Sequence, residues 1–243
     1  MDPLQALAVF LLAAGAAVVQ SLTGLGFGLI IVPPLVLVLG AKDAVVVSNV
    51  LSTFLSGAML LRIHSGVEWR MGIVLLAGAV AGMPLGLAIL ILIDPDLLQV
   101  LIACTVILFT ILLARGMQIH SAGVLGDALS GILSGILRMS TSMSGPPVVI
   151  YLQGRGLASD RFRATLAAFF VASGLISIAL FLASGRLTRD TGLDLVPGLA
   201  ALPLGLAVGG ALYTRIDENR FRLLVRTVLI ASAVLAIVAV VVG

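Results

Sequence analysis

Two short stretches bring together the residues best suited to chemistry. In residues 138–147, Arg-Met-Ser-Thr-Ser-Met-Ser-Gly-Pro-Pro, the guanidinium of Arg138 is followed by the hydroxyls of Ser140, Thr141, Ser142 and Ser144. In residues 21–35, "SLTGLGFGLIIVPPL", Gly24, Gly26 and Gly28 alternate ahead of the pair Pro33 and Pro34. Hydroxyls donate hydrogen bonds to oxyanion oxygens. Glycines let backbone amides approach a ligand closely, and a helix that starts beside them turns its partly positive end toward the break. An arginine within apolar sequence costs at least ~2.5 kcal/mol unless it is paired or hydrated, which makes Arg138 a functional candidate. The chemistry on offer is recognition of a small anion. Covalent catalysis is not, because no apolar run holds paired carboxylates or a His or Cys nucleophile with its partners. His64, His120 and the single Cys104 give no metal-ligand cluster, and no cofactor is implied. The alternating glycines lie inside an apolar run, so they form neither a P-loop nor a dinucleotide fingerprint.

The elements that must hold these stretches are membrane helices. Hydrophobic residues make up 60% of the 243 and charged residues 10%, and the mean hydropathy is +1.25, outside the balance of a soluble domain. The runs are continuous and rich in Leu, Val and Ala, which fits helices and not the short alternating strands of a barrel. Connections are short, so residues 1–243 are read as a single transmembrane domain. The opening Met1-Asp2-Pro3 has no basic region before the apolar run, so it reads as mature sequence and not as a leader. The basic excess forms no nucleic-acid patch; its cations sit in turns, as orientation signals do.

Apolar segments cover roughly 4–21, 24–40, 44–61, 71–93 and 97–114, then 123–138, 144–154, 164–184, 195–214 and 222–242. Each group of five begins with a long segment and a break that leads to a double proline, followed by three ordinary spans. Val32-Pro33-Pro34-Leu35 answers Gly145-Pro146-Pro147-Val148. Gly82-Met-Pro-Leu-Gly86 answers Gly205-Leu-Ala-Val-Gly209, and an acidic turn follows each, at Asp94 and at Asp217. These anchors predict two repeats, about 1–115 and 121–243. An odd number of segments inverts the second copy, a common plan of secondary transporters with a site near the midplane. With the N-terminus outside, Arg62, Arg70, Arg115, Arg155, Arg161, Arg163, Arg215, Arg220 and Arg222 fall on cytoplasmic turns, against Lys42, Arg186 and Arg189 outside. As helix, residues 146–153 reach only about 12 Å and residues 24–40 about 24 Å, short of a ~30 Å hydrocarbon core. Two re-entrant or discontinuous hairpins, 4–40 and 123–154, are therefore expected to meet.

Around the breaks, Gln20 and Gln153 are further site candidates, or simply caps on unwound backbone. Asn49 and Ser52 on the third segment and Thr165 on the eighth complete the candidate cavity lining, although an Asn in a span also serves as glue between helices. The glycine pairs 82/86 and 205/209 read as close helix packing. Asp127 is the one acid placed within a span, where hydration at the cytoplasmic interface is expected; no residue is assigned to a coupling proton or cation.

At these residues the sequence resembles the TauE/SafE family of sulfite and organosulfonate anion exporters. The resemblance is carried by "TGLGFGLIIVP", "LGAKDAVVVSN", "GVEWR", "GMPLG", "STSMSGPPVVIYL" and "DRFRATLAAFF". It implies transport of sulfur oxyanions such as sulfite or sulfoacetate by a multi-pass protein of a bacterial inner membrane, with substrate and lipid bilayer as partners and the oligomeric state left open. A small residue is usual in the family at the place of Arg138. The departure implies either tighter anion binding or a position for Arg138 at the outer interface. A passive anion channel, or an uptake permease for an unrelated anion, could be built from the same residues.

Overall fold

The computed structural model describes residues 2–63, 66–118 and 123–213, together with 227 and 234. The expected tenth segment, 222–242, and with it the end of the second repeat, lies outside the described residues, as do His64 and His120. Among the described residues the chain is all helical: α1 Pro3–Thr23, α2 Phe27–Leu39, α3 Ala41–Ile63, α4 Trp69–Leu92, α5 Pro95–Ala114, α6 Gly123–Thr141, α7 Gly145–Gln153, α8 Ser159–Ala183 and α9 Arg189–Tyr213. Six of these, α1, α3, α4, α5, α8 and α9, are long and apolar enough to cross a membrane, whereas α2 is shorter. Helix starts follow local chemistry. Asp2 caps α1 ahead of Pro3, and Asp94 caps α5 ahead of Pro95, where the missing proline N–H breaks no helical bond.

The interruptions fall between α1 and α2 and between α6 and α7. Gly24 (φ 80°) and Gly26 (φ 99°) adopt left-handed backbone, which only glycine reaches without strain. The Gly24 amide closes α1 on the carbonyl of Gln20 at 2.7 Å. At the second break Ser142 takes the same role with φ 59°. The two proline pairs are not equivalent. Pro33 and Pro34 lie inside α2, which continues through them to Leu39, whereas Pro146 and Pro147 lie in the first turn of α7. The first break is therefore made by glycine and not by proline.

Glycine also fixes how helices pack. A methyl built on Gly78, Gly82 or Gly86 of α4 would run into the α6 backbone at Ala128, Ile132 and Ile136, and one on Gly131 or Gly135 of α6 would run into Leu75 and Ala79. The order of these contacts makes α4 and α6 parallel neighbours whose backbones touch. Gly205 and Gly209 of α9 press likewise on α1 at Ala14, Ala17, Val18 and Ser21. Helix α3 packs against α2, α8 and α9 at the centre of the molecule, and its apolar face, including Val46, Val47, Val50, Leu51 and Leu55, is buried.

Candidate functional site

The two breaks touch. A methyl on Gly28, in the first turn of α2, would overlap the carbonyl oxygen of Ser142 and lie 3.0 Å from its carbonyl carbon. Beside this contact a pocket encloses about 320 Å³ of empty space, part of it continuous with solvent. Its polar wall is Gln20, Ser52, Ser56, Ser142 and Ser144, and its apolar wall includes Phe27, Leu29, Met143 and Phe170. Both short helices begin here. Gly26 caps α2 and Ser144 caps α7, so two partly positive helix ends converge on one space. Pro146 and Pro147 take amide donors away from the first turn of α7, which leaves the hydroxyls to supply them.

Each polar group has a definable state. Gln20 Nε2 donates to Ser56 Oγ at 2.9 Å, linking α1 to α3. Ser142 is 7% exposed, and its hydroxyl has no hydrogen-bond partner. A buried polar group left so costs roughly 1–3 kcal/mol, and a ligand oxygen in the pocket would offset that.

Behind the pocket Arg138 is 2% exposed. It is neither at an outer interface nor on the pocket wall. Its Nη1 donates to Ser144 Oγ at 3.1 Å, Nη2 to Thr53 Oγ1 at 2.9 Å and Nε to Ser177 Oγ at 3.3 Å. Thr53 passes its own proton to Asn49 O at 2.8 Å, and Ser177 passes its proton to Asn49 Oδ1 at 2.7 Å or Gly174 O at 2.8 Å. Asn49 Nδ2 closes the ring on Arg138 O at 2.8 Å. Ser144 accepts from the guanidinium and lines the pocket, so its proton is left to give to an occupant. Among the described residues no carboxylate pairs with Arg138. A buried cation held only by neutral groups costs several kcal/mol, and a pocket anion one hydroxyl away would offset part of it.

Of the residues singled out in the sequence, the structure brings Gln20, Gly26, Gly28, Ser52, Ser142 and Ser144 to the pocket and sets Arg138 and Asn49 behind it. Gly24 lies one turn away, beneath the Arg163 side chain. Ser140 and Thr141 bond back to their own helix, at Ile136 O and Leu137 O. Thr165 accepts from the Glu68 amide at 3.0 Å, and Gln153 is exposed at the far end of α7. Asp127 departs from the expected wet helix end in its burial, being 4% exposed. Sequence reasoning missed Ser56, Thr53 and Ser177 as parts of the site. Ser56 sits one turn beyond Ser52 and repeats its face, a signal that was available.

Helical spans interrupted at a shared polar pocket are a common plan of secondary transporters. The chain belongs to the TauE/SafE family: the family model described as "Sulfite exporter TauE/SafE" matches residues 9–236. Comparison with curated proteins and with solved structures finds no match. The family is one of transporters and not of enzymes, and among the described residues no group of three or more His, Cys, Asp or Glu could hold a metal ion.

Proposed function

We propose that the protein is a secondary exporter of small sulfur-containing oxyanions, such as sulfite or an organosulfonate, in a bacterial inner membrane. The observation that carries this reading is the uncompensated Arg138 cation, presented through Ser144 to a pocket where two helix N-termini meet. Ser142 and Ser144 donate to the anion, the first-turn amides of α2 complete its shell, and Phe27 and Phe170 cover its apolar side. Gly28, with no side chain, lets the two breaks close over it.

Alternating access follows from an inverted repeat in which α1, α2, α3 and α4 correspond to α6, α7, α8 and α9. Two matched contacts support that correspondence. Helix α4 lies parallel to α6 through Gly82 and Gly86, and α9 lies parallel to α1 through Gly205 and Gly209. Exchange of the repeats turns one contact into the other, and rocking of one hairpin against the other would open the pocket to each face in turn.

Proteoliposomes containing the purified protein test the reading. Counterflow of radiolabelled sulfite or sulfoacetate should saturate and be accelerated by unlabelled anion on the far side. Non-saturating flux with single-channel currents would replace the transporter by a channel, and no flux of either anion would remove the substrate class.

A further inference from the structure

Two stretches singled out in the sequence, "GVEWR" at residues 66–70 and "DRFRATLAAFF" at residues 160–170, reach the pocket wall only through Phe170, yet they meet each other. Arg161 Nη1 donates to Glu68 Oε1 at 2.7 Å, and the Glu68 amide donates to Thr165 Oγ1 at 3.0 Å. Arg163 Nη2 donates to Ser21 O, in the last turn of α1, at 2.9 Å. The Arg163 side chain also lies over Gly24, where a methyl would come 3.4 Å from its Cγ. The start of α8 therefore holds both the end of α1 and Glu68, the residue that precedes α4. In the repeats read from the sequence, α8 belongs to the second copy and both of its partners belong to the first.

These contacts lie on one side of the pocket. On α8 the face that carries Arg163 continues at intervals of two helical turns through Phe170 on the pocket wall to Ser177 on Arg138. Arg163 thus stands about 10 Å from Phe170 along the axis, toward the start of α8. On α3 the pocket residues Ser52 and Ser56 are followed by about two more turns, and the Glu68 turn comes after them. On α1 Ser21 directly follows the pocket residue Gln20. Between Arg163 and Phe170 the face of α8 includes Ala167, which is buried. Beyond the contacts stand the exposed Arg62, Arg70 and Arg155, a positive face that draws anions toward it. At the opposite end the start of α3, the counterpart of α8, meets the start of α9, the counterpart of α4, through Thr191 Oγ1 on Asp43 Oδ1 at a longer 3.4 Å.

Resting on the transporter reading, we propose that the start of α8 is the gate that closes the pocket toward this face. Arg161 and Thr165 clasp Glu68, Arg163 clasps the end of α1, and these contacts part when the pocket opens there. Their chemistry suits a clasp made and broken once in each cycle. An exposed ion pair is a weak tie, and the Arg161 and Glu68 side chains are 61% and 36% exposed, so water can replace either partner. Arg163 is half-buried, and it bonds one of the last four carbonyls of α1, which helix geometry leaves without an intrahelical donor. Its charge also faces the partly negative end of that helix. Gly24, beneath Arg163, is the first residue of the break. Parting this contact opens the route that leads along α8 to Phe170 and the pocket.

A reversible lock tests the gate. In a Cys104→Ser background, Glu68→Cys with Thr165→Cys places two thiols where a backbone amide and a side-chain oxygen stand 3.0 Å apart. Oxidation in proteoliposomes should lower sulfite counterflow at least tenfold, and dithiothreitol should restore it in the same protein. Counterflow that persists once mass spectrometry shows the disulfide formed overturns the gate and leaves the transporter reading intact. No counterflow of sulfite or sulfoacetate in the wild type overturns both. If the disulfide does not form, thiol labelling reads the same clasp. Ala167→Cys in the same background should react slowly with a membrane-impermeant methanethiosulfonate added on this face. Glu68→Arg should raise that rate at least fivefold, and adding Arg161→Glu should return it, a rescue that a merely loosened fold would not give. An unchanged rate in Glu68→Arg, or no return in the exchanged pair, rejects the gate.

Discussion

Replacing Gly28 by Ala tests directly whether the two breaks form one site. The added methyl would sit 3.0 Å from the Ser142 carbonyl carbon and overlap its oxygen. Since carbons pack at about 3.5–4.0 Å, the breaks must separate by about 0.5–1 Å. Both neighbours are backbone, so no side chain can swing away. Overpacking of this kind costs about 1–3 kcal/mol, and on the proposal that the two breaks close over the anion this strain is set against binding. At a factor of ten for each 1.4 kcal/mol, the affinity for sulfite should fall by about 5- to 150-fold. Tracer counterflow over a range of concentrations, with equilibrium binding on purified protein, measures the change. Gly57→Ala is the control, because a methyl there meets nothing within 4 Å. Unchanged sulfite affinity in Gly28→Ala, or an equal loss in the control, would refute the reasoning.

Other substitutions separate affinity from stability. Arg138→Met should weaken anion binding about 10- to 150-fold, the loss of a hydrogen-bond route from a charged group, while the ligand-free melting temperature stays level or rises because a buried unpaired cation is gone. Gly174→Ala should act in the same direction on affinity, since its methyl would run into Thr53 Oγ1 and lie 2.6 Å from Arg138 Nη2, disturbing the bond between them; binding isotherms check both. Ser142→Gly relieves a left-handed non-glycine backbone worth about 1–2 kcal/mol and removes a pocket hydroxyl, so thermal stability should increase as affinity drops. Gly135→Val places a carbon 2.7 Å from the Ala79 carbonyl carbon and should lower the unfolding free energy by about 1–3 kcal/mol, whereas Gly192→Ala, with open space around it, should not.

The helices were legible in the sequence because apolar runs, caps and breakers act locally. Asp2-Pro3 and Asp94-Pro95 start α1 and α5, and Gly24 and Gly26 stop the backbone ahead of α2. Which hydroxyl faces the pocket was not legible. Ser140, Thr141, Ser142 and Ser144 are near neighbours, and their roles are set by where α6 ends. The first two fall on its last turn and bond back to it, whereas Ser142 turns left-handed and frees its side chain. The ring around Arg138 depends on the relative rotation of α3, α6 and α8, a tertiary property that no single segment encodes. The same holds for Asp127, whose polarity suggests a wet helix end although the folded chain leaves it 4% exposed. Thr165 illustrates a third case: its hydroxyl is taken by the Glu68 amide of a turn distant in sequence.

The most direct measurement is a crystal structure with selenite, diffused into protein that carries ordinary methionine, and an anomalous map at the selenium edge. A single peak is expected within hydrogen-bonding distance of the Ser142 and Ser144 hydroxyls and the first-turn amides of α2, with Phe170 against its open side. No peak at concentrations that saturate counterflow, or a peak remote from both breaks, would contradict the claim that the pocket binds the transported anion.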